Sequence, residues 1–468
     1  IRAFVKTPFY RVVSSIALEG ESFEGEWRAV EGSRYFQSPV LYKENGFKKK
    51  EDAQKLICEL STQQPLICTV EKIERKKENK NPPLLFNLAE LQNVCSKLFK
   101  ISPDETLSIV QDLYEKKLVT YPRTDARVLS TAVAKEIYKN ISGLRNYPQA
   151  GDAAQGALEL GAYKNIAKTR YTNDKQITDH YAIIPTGQGL GALKGLSLTA
   201  QRVYETIVRR FLSIFYPPAV YQKVSLVTKM ENESFFSSFK VLLSEGYLKI
   251  AANSFAKKSM AEASGKASES EGEGEVSCDE ALLAALQKLK KGDILNINGL
   301  GIKEGETSPP KRYNSGSMIL AMENAGQLIE DEDLRSQIKG SGIGTSATRA
   351  EILKKLFNIR YLSLNKKTQV ITPTLQGEMI YDVVNCSIRQ LLNPELTASW
   401  EKGLTYVAEG SITEQEYMDK LERFVRIRTK QVEDSHFQYA LRQFFDAAAQ
   451  YYKKPERETA VKKRQNTL

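Results

Sequence analysis

The sequence Leu-Val-Thr-Tyr-Pro-Arg-Thr-Asp at residues 118–125 brings a phenol, a guanidinium, a hydroxyl and a carboxylate close together. The oxygen of Tyr121 can become the covalent nucleophile in a group transfer. Arg123 can hold a phosphoryl oxygen through two parallel hydrogen bonds. Pro122 favours an extended backbone at Tyr121, which would end a preceding helix. Taken alone, the segment would equally suit a polar turn with a half-buried tyrosine.

Helical patterns flank this segment on both sides. Residues 102–105, Ser-Pro-Asp-Glu, combine an N-cap serine, a proline at the first helical position and a glutamate suited to a capping box. Apolar residues follow at helical spacing from Leu107 to Tyr114, and Ser130 can cap a second helix. Two flanking helices would make the junction that carries Tyr121 a rigid one.

The segment resembles the active-site motif of type IA DNA topoisomerases, most of all those of the topoisomerase III branch. Six further blocks are similar to that family and occur in the expected order. They are 82–88 (Pro-Pro-Leu-Leu-Phe-Asn-Leu), 179–186 (Asp-His-Tyr-Ala-Ile-Ile-Pro-Thr), 198–218, 308–313 (Ser-Pro-Pro-Lys-Arg-Tyr), 342–350 (Gly-Ile-Gly-Thr-Ser-Ala-Thr-Arg-Ala) and 396–401 (Leu-Thr-Ala-Ser-Trp-Glu). Ser346 departs from the family, which often has proline or another residue there.

The resemblance implies that Tyr121 cleaves one DNA strand and stores the bond as a tyrosyl phosphodiester, so that religation needs no ATP. A phenol has a pKa near ~10, so cations must stabilise the developing charge, and Arg123 is the obvious one. His180 joins the DNA contacts near the scissile phosphate by resemblance, although a lone histidine is more often structural. Asp125 is grouped with the DNA-binding residues, where it would orient Arg123 or cap the following turn.

The glycine-rich loop at residues 340–349 is a second candidate phosphate site. Successive backbone amides at the start of a helix, here predicted over Arg349–Phe357, attract phosphate. A glycine turn before any helix would look similar, but the resemblance favours binding of a single strand that is led toward Tyr121. Aromatic side chains along its path would stack on the bases. The predicted DNA-binding residues of this loop are Gly344, Thr345, Thr348 and Arg349.

Composition agrees with a protein that binds a polyanion. The chain of 468 residues has 67 Lys and Arg against 57 Asp and Glu, a formal charge of +10. Its five cysteines form no Cys-x-x-Cys pair and it has only two histidines, so a zinc site is not predicted. It contains no ATP-binding Gly-x-x-x-x-Gly-Lys-[Ser/Thr] loop and no apolar run of membrane-spanning length. We expect a cytoplasmic, nucleoid-associated monomer that prefers single-stranded DNA.

The pattern along the chain predicts a multidomain α+β protein. The predicted parts are a β-rich part at 1–81, a helical tyrosine-bearing domain at 82–216, a second β-rich part at 217–305 with a low-complexity segment at 254–276, and a helical DNA-binding domain at 306–468. A β-rich piece interrupted by a helical domain implies a two-strand connection, and Lys76–Pro83 resembles a charged linker. By resemblance, the β-rich parts form an arch within a ring-like core.

The chain opens on Ile1, and by resemblance this start lies inside the family sequence, after an amino-terminal Toprim domain. The Toprim signature Asp-x-Asp-x-Glu does not occur, and the acidic run at 330–333 is typical of a solvated helix end. No metal ligand is therefore predicted in this chain. We expect a fragment that does not relax DNA alone, with Mg²⁺ held by the missing Toprim domain of the full-length enzyme.

Two other functions compete with this prediction. The chain could act only as a single-stranded DNA-binding module without catalysis, although a pure binder has no reason to carry Tyr121-Pro122-Arg123 in that order. A tyrosine recombinase is disfavoured because its Arg-His cluster pattern is not seen.

Overall fold

A computed structural model describes residues 1–62, 64–255, 275–277, 280–329 and 342–452. The chain forms two compact units. The first comprises Ile1–Leu84, Ala134–Thr169 and Val208–Lys311, and the second comprises Leu85–Val133, Arg170–Ile207 and Arg312–Leu468. The stretch 82–216 contributes to both units. Most of the predicted low-complexity segment, the acidic run at 330–333, and Gly340 and Ser341 of the glycine-rich loop lie outside the described residues.

Within the described part of the first unit, nine strands form one sheet. The strands are β1 Pro8–Leu18, β2 Glu21–Arg28, β3 Leu41–Lys43, β4 Gly46–Phe47, β5 Ile67–Lys80, β6 Ala219–Met230, β7 Glu233–Ser244, β8 Glu275–Ser277 and β9 Ile294–Glu306. Six of them pair in the order β1, β2, β7, β6, β5, β9, and β9 pairs again with β1. The pairing therefore closes on itself, which removes the free edges of these strands.

The interior of this closed sheet holds aromatic side chains. Alternate residues of β1, such as Val12 and Ile16, are fully buried because successive side chains of a strand point to opposite faces. Trp27 stacks on Phe47 with ring centroids 5.0 Å apart. The indole N–H of Trp27 donates to the buried carboxylate of Glu233 at 2.7 Å, so this interior acid has a hydrogen-bond partner.

The predicted two-strand connection is confirmed by the pairing of β5 with β6. These strands flank residues 81–218, and their antiparallel register extends to Lys80 opposite Ala219. The prediction of a charged linker at Lys76–Pro83 is wrong in its first half, because β5 continues to Lys80. Lysine and glutamate are tolerated there because this end of the strand is exposed and Glu78 pairs with Lys240 of β7 at 3.2 Å.

Helices account for most of the remaining described structure. Those of the first unit are α1 Lys50–Leu60, α5 Gly151–Leu160, α7 Leu248–Ala251 and α8 Glu280–Lys288, while α4 Thr131–Gly143 and α6 Leu198–Ser213 have residues in both units. Those of the second unit are α2 Leu88–Phe99, α3 Pro103–Glu115, α9 Ser315–Glu323, α10 Arg349–Asn358, α11 Leu375–Ser387, α12 Pro394–Ala408, α13 Glu414–Glu433 and α14 Gln438–Ala449, with the strand pair β10 Leu362–Leu364 and β11 Ile371–Pro373. Short 3₁₀ turns lie at Leu144–Asn146, Ala162–Lys168, Asp174–Gln176, Leu190–Gly195, Ala325–Leu328, Arg389–Leu392 and Gln450–Tyr452.

The helix before the tyrosine segment begins as predicted. The hydroxyl of Ser102 accepts the backbone N–H of Glu105 at 3.1 Å, and Pro103 is the first residue of α3. Ser130 likewise accepts the backbone N–H of Val133 at 3.2 Å at the start of α4. The segment containing Tyr121 thus lies between the end of α3 at Glu115 and the capped start of α4 at Ser130.

Close packing of α9 on α2 brings a later part of the chain to the tyrosine segment. A Cβ at Gly316 would lie 2.6 Å from the Cα of Asn93, so only glycine allows this approach. The hydroxyls of Ser96 and Ser315 lie 2.9 Å apart in the same contact. The mixed α+β class is confirmed. Over the residues that the structure describes, no helix is long and apolar enough to span a membrane.

Candidate active site

The tyrosine segment and the His180 block lie side by side as extended chains in the second unit. Three backbone hydrogen bonds join them. Pro122 and Pro185 favour an extended backbone in the two segments, which leaves their backbone groups free to pair with each other. The donors and acceptors are Thr120 N to Ile184 O at 3.0 Å, Thr186 N to Leu118 O at 3.0 Å and Ala182 N to Val128 O at 3.0 Å. Two blocks that are about sixty residues apart in the sequence thus form one local structure.

Two threonine hydroxyls tie these chains together on either side of Tyr121. The hydroxyl of Thr120 donates to the carbonyl of Ala182 at 3.0 Å and accepts the N–H of Ile184 at 3.0 Å. The hydroxyl of Thr124 donates to the carbonyl of His180 at 2.8 Å. Neither threonine was predicted from the sequence to have a role. Their only signal was their place inside the motif.

Aromatic rings surround the predicted nucleophile. The ring centroid of Tyr121 lies 4.3 Å from that of His180 and 5.6 Å from that of Tyr114. Tyr121 is half-buried and His180 is exposed. Both line a cleft of about 620 Å³. The structure therefore brings His180 against Tyr121, where a bound phosphate could contact both.

Arg123 is exposed and lies two residues from Tyr121, which lines the cleft. Among the described residues, no hydrogen bond or ion pair holds its guanidinium. The buried residues Pro122 and Thr124 anchor the backbone on either side of it. A long cation on an anchored backbone can reach an incoming anion without first breaking an internal ion pair.

Asp125 binds a different arginine from the one predicted. Its carboxylate accepts a hydrogen bond from Nη1 of Arg349 at 2.9 Å, whereas the sequence predicted that it orients Arg123 or caps a turn. Arg349 is 1 % exposed, and its Nε also donates to the carbonyl of Ile343 at 3.3 Å. The predicted direct contact of Arg349 with DNA does not fit this position, because the guanidinium already serves the fold.

The glycine-rich loop uses several backbone amides internally. The N–H of Ile343 donates to the carbonyl of Met322 at 2.8 Å, and the N–H of Thr345 donates to the hydroxyl of Thr348 at 2.9 Å. Gly342 and Gly344 have φ angles of +61° and +69°, which glycine adopts at little cost. The loop precedes α10 as predicted, but the amides of Ile343 and Thr345 face the protein.

A buried polar network surrounds the Asp125–Arg349 ion pair. Nδ2 of Asn87 donates to Oε1 of Glu323 at 2.6 Å and to the backbone carbonyl of Asp125 at 3.1 Å. Burial raises the pKa of Glu323, the charge of Arg349 opposes this rise, and the charge of Asp125 adds to it. The network joins the N-terminus of α2, the end of α9 and the tyrosine segment.

The described carboxylates do not form a site for a divalent ion. No group of three or more His, Cys, Asp or Glu side chains that could hold a metal occurs among the described residues. Asp125 and Glu323 belong to the polar network at the end of the tyrosine segment, and Arg349 and Asn87 already bind them. Hard cations such as Mg²⁺ need free oxygen ligands, so these two acids do not fit that ion.

Comparison with known proteins identifies the family of the chain. The family model described as DNA topoisomerase matches residues 1–419. The chain belongs to this family. The predicted type IA class, similar to topoisomerase III, is confirmed.

Curated relatives and a solved structure agree with the family. The chain is 33 % identical to DNA topoisomerase 3 of Bacillus licheniformis over 76 % of this chain and 45 % of the relative. It is 30 % identical to DNA topoisomerase 3 of Bacillus subtilis over 93 % of this chain and 54 % of the relative. The chain thus spans about half the length of these relatives. The structure of full-length topoisomerase I from Thermotoga maritima shares its fold, with a TM-score of 0.59 and 21 % identity over 92 % of this chain and 60 % of that one.

Proposed function

We propose that this topoisomerase chain carries the nucleophile and strand-binding surface of an enzyme that passes DNA through a transient single-strand break. The phenol oxygen of Tyr121 attacks a backbone phosphate, the bond from phosphorus to the sugar oxygen breaks, and the sugar leaves as a hydroxyl. Reversal of the same step reseals the strand, so no ATP is consumed. The observation that carries this proposal is the position of Tyr121 in an open cleft against His180.

Arg123 and His180 would serve the phosphate that Tyr121 attacks. Charge builds up on the phosphate oxygens as the new bond forms, and a cation placed in advance stabilises it. Arg123 can approach through solvent because it is exposed. His180 is held against the tyrosine by the hydroxyl of Thr124. The Asp125–Arg349 ion pair acts only through the backbone, by holding the end of the tyrosine segment.

We further propose that Mg²⁺ belongs to the reaction but not to this chain. The described carboxylates do not fit the ion, and the curated relatives are about twice as long as the matched part. A carboxylate-rich Toprim domain in a longer protein would hold it. This chain alone would then bind DNA without relaxing supercoils.

Single-stranded DNA in the bacterial cytoplasm and nucleoid is the proposed substrate, bound by one copy of the chain. Aromatic rings stack on unpaired bases, which a duplex does not offer. Tyr114, Tyr121 and His180 supply such rings at the cleft.

The proposal is tested in a longer enzyme that contains this chain. Tyr121→Phe removes only the attacking oxygen, so covalent protein–DNA complex and relaxation should both disappear while single-strand binding stays within about twofold. Tyr138→Phe is the matched control, because Tyr138 is an exposed tyrosine on α4. Covalent complex in the Tyr121→Phe protein would refute Tyr121 as nucleophile. Binding without any covalent complex in the parent enzyme would instead support a pure binding module.

A further inference from the structure

The cleft beside Tyr121 has room for more than a phosphate. Its volume of about 620 Å³ falls within the ~300–1,000 Å³ of sites that hold small ligands. Tyr114 and Tyr181 line it together with Tyr121 and His180. Burial raises the pKa of Tyr181, so its phenol is uncharged at neutral pH. Aromatic walls of this kind suit a flat nucleobase.

A carboxylate in the same cleft argues for a base rather than for backbone alone. Glu115 and Lys117 both line the cleft and carry opposite charges. A carboxylate repels a phosphate, whereas it accepts hydrogen bonds from the amino group of a base. Gln111 donates to Oε1 of Glu115 at 3.4 Å, and within the described residues no hydrogen bond to Oε2 is present.

The polar wall of the cleft is held in place by the backbone. The N–H of Gln188 donates to the hydroxyl of Thr186 at 3.1 Å. Gly189 has a φ angle of +71°, and a Cβ there would lie 2.5 Å from the carbonyl oxygen of Lys116. Only glycine allows the two chains to approach so closely. Gln188 and Lys117 therefore lie on closely packed chains in the lining of the cleft.

We propose that this cleft holds one base of the bound strand, next to the phosphate that Tyr121 attacks, and that Glu115 and Gln188 select bases with an exocyclic amino group. This inference rests on the proposed single-strand function and adds a specificity to it. The phosphate of the same nucleotide would lie toward Lys117, and the ring would lie between the aromatic side chains.

The selection follows from the pairing edges of the four bases. Adenine, cytosine and guanine each carry an exocyclic amino group on this edge, N6, N4 or N2, whereas thymine carries only oxygens, O2 and O4. The carboxylate of Glu115 accepts from an amino group and repels an oxygen. The amide of Gln188 can turn its carbonyl toward the same amino group. Adenine, cytosine and guanine are therefore preferred over thymine.

Fluorescence anisotropy with this chain tests the selection. The probes are labelled thymidine oligomers of about twelve nucleotides, within the usual footprint of single-strand sites, carrying one central adenine, cytosine, guanine or thymine. The oligomers with adenine, cytosine or guanine should each bind about fivefold or more tightly than the oligomer with thymine, the lower end of the discrimination that one good base contact provides. Glu115→Gln and Gln188→Ala should each reduce the ratio to about twofold or less.

Glu159→Gln is the matched control for Glu115→Gln. Glu159 is an exposed glutamate of α5 that also accepts from a glutamine four residues earlier, Gln155, at 2.9 Å. Its substitution should leave the base preference unchanged, and circular dichroism should show the same melting for all variants.

The outcomes separate this inference from the proposed function. Equal binding of all four oligomers by the parent chain would overturn the base site while leaving single-strand binding intact. A preference for the amino-bearing bases over thymine that survives Glu115→Gln would overturn its assignment to this cleft. Failure to bind any oligomer at low salt would count against the proposed function itself.

Discussion

Two arginines of this chain occupy opposite environments beside the same turn. Arg123, two residues from Tyr121, is exposed, and no ion pair within the described residues holds it. Arg349 is 1 % exposed and bound to Asp125 at 2.9 Å. From the sequence, both were predicted to contact DNA. The difference teaches that residue type within a motif indicates charge, whereas burial decides whether the charge serves the substrate or the fold.

The segments around the two arginines differ in the same way. The tyrosine segment uses its backbone and its threonine hydroxyls for the fold and leaves the rings of Tyr121 and His180 at the cleft. The glycine-rich loop turns the amide of Ile343 inward, to the carbonyl of Met322. The tyrosine segment offers side chains to a ligand, whereas the glycine-rich loop supports the tyrosine segment.

Breaking the buried ion pair should have the largest effect on stability. Asp125→Ala leaves the Arg349 guanidinium buried without its carboxylate, so the free energy of unfolding should fall by roughly 3–5 kcal/mol. Arg123→Ala removes only a solvated cation and should change it by about 0.5 kcal/mol or less. Urea unfolding of the two variants measures both values. Equal losses would contradict the contrast between the two arginines.

A double variant sharpens this test. Adding Arg349→Met to Asp125→Ala removes the buried charge that has lost its Asp125 partner, so the double variant should be more stable than Asp125→Ala alone. A further loss of stability on adding Arg349→Met would show that Arg349 has a more important partner than Asp125.

The exposed arginine should dominate the chemistry. In a longer enzyme that contains this chain, Arg123→Ala should slow cleavage of single-stranded DNA by about 100-fold, the cost of losing one donor that stabilises the transition state. Arg123→Lys should restore part of the rate, because it returns the charge without the paired hydrogen bonds. Single-turnover cleavage at saturating DNA measures the effect. An unchanged rate for Arg123→Ala would remove Arg123 from the catalytic role.

The salt dependence of DNA binding should show a smaller difference between Arg123 and Arg349. The parent chain should bind single strands more tightly than duplex. The slope of log K against log salt should fall by about 0.7 when one phosphate contact is lost. Arg123→Ala should show that fall, whereas Arg349→Met should keep the parent slope. Slopes that respond in the opposite order would place Arg349, not Arg123, on the DNA.

Several elements could be predicted from the sequence because their causes are local. The start of α3 follows from Ser102 and Pro103, and the start of α4 follows from Ser130. The alternating burial of β1 depends on the residues of the strand itself. Tyr121, Arg123 and His180 were found through their motifs.

The rest depends on residues that are far apart in the chain. Asp125 and Arg349 are separated by 224 positions, and no local pattern indicates which arginine an aspartate will bind. The extension of β5 to Lys80 also depends on its partner β6, which begins only at Ala219. The roles of Thr120 and Thr124 become visible only when the His180 block lies beside them.

The smallest expected effect concerns the pH dependence of the buried network. Burial raises the pKa of Glu323 above its ordinary value of 4.5. An acid whose pKa is higher in the folded state stabilises the fold below the unfolded pKa, and this contribution is lost as pH rises through the folded pKa. Glu323→Gln does not titrate, so its stability relative to the parent should increase from about pH 4 to about pH 7. Urea unfolding at both pH values would contradict this if the free energy of unfolding of Glu323→Gln fell relative to that of the parent as pH rose.

Peptide mapping of the covalent complex tests the central claim most directly. A longer enzyme that contains this chain is trapped on labelled single-stranded DNA, digested, and analysed by mass spectrometry for the nucleotide adduct. Three tyrosines, Tyr114, Tyr121 and Tyr181, line the same cleft, so the assignment is not settled by position alone. We predict that the adduct is found on Tyr121. An adduct on Tyr114 or Tyr181 would contradict the account.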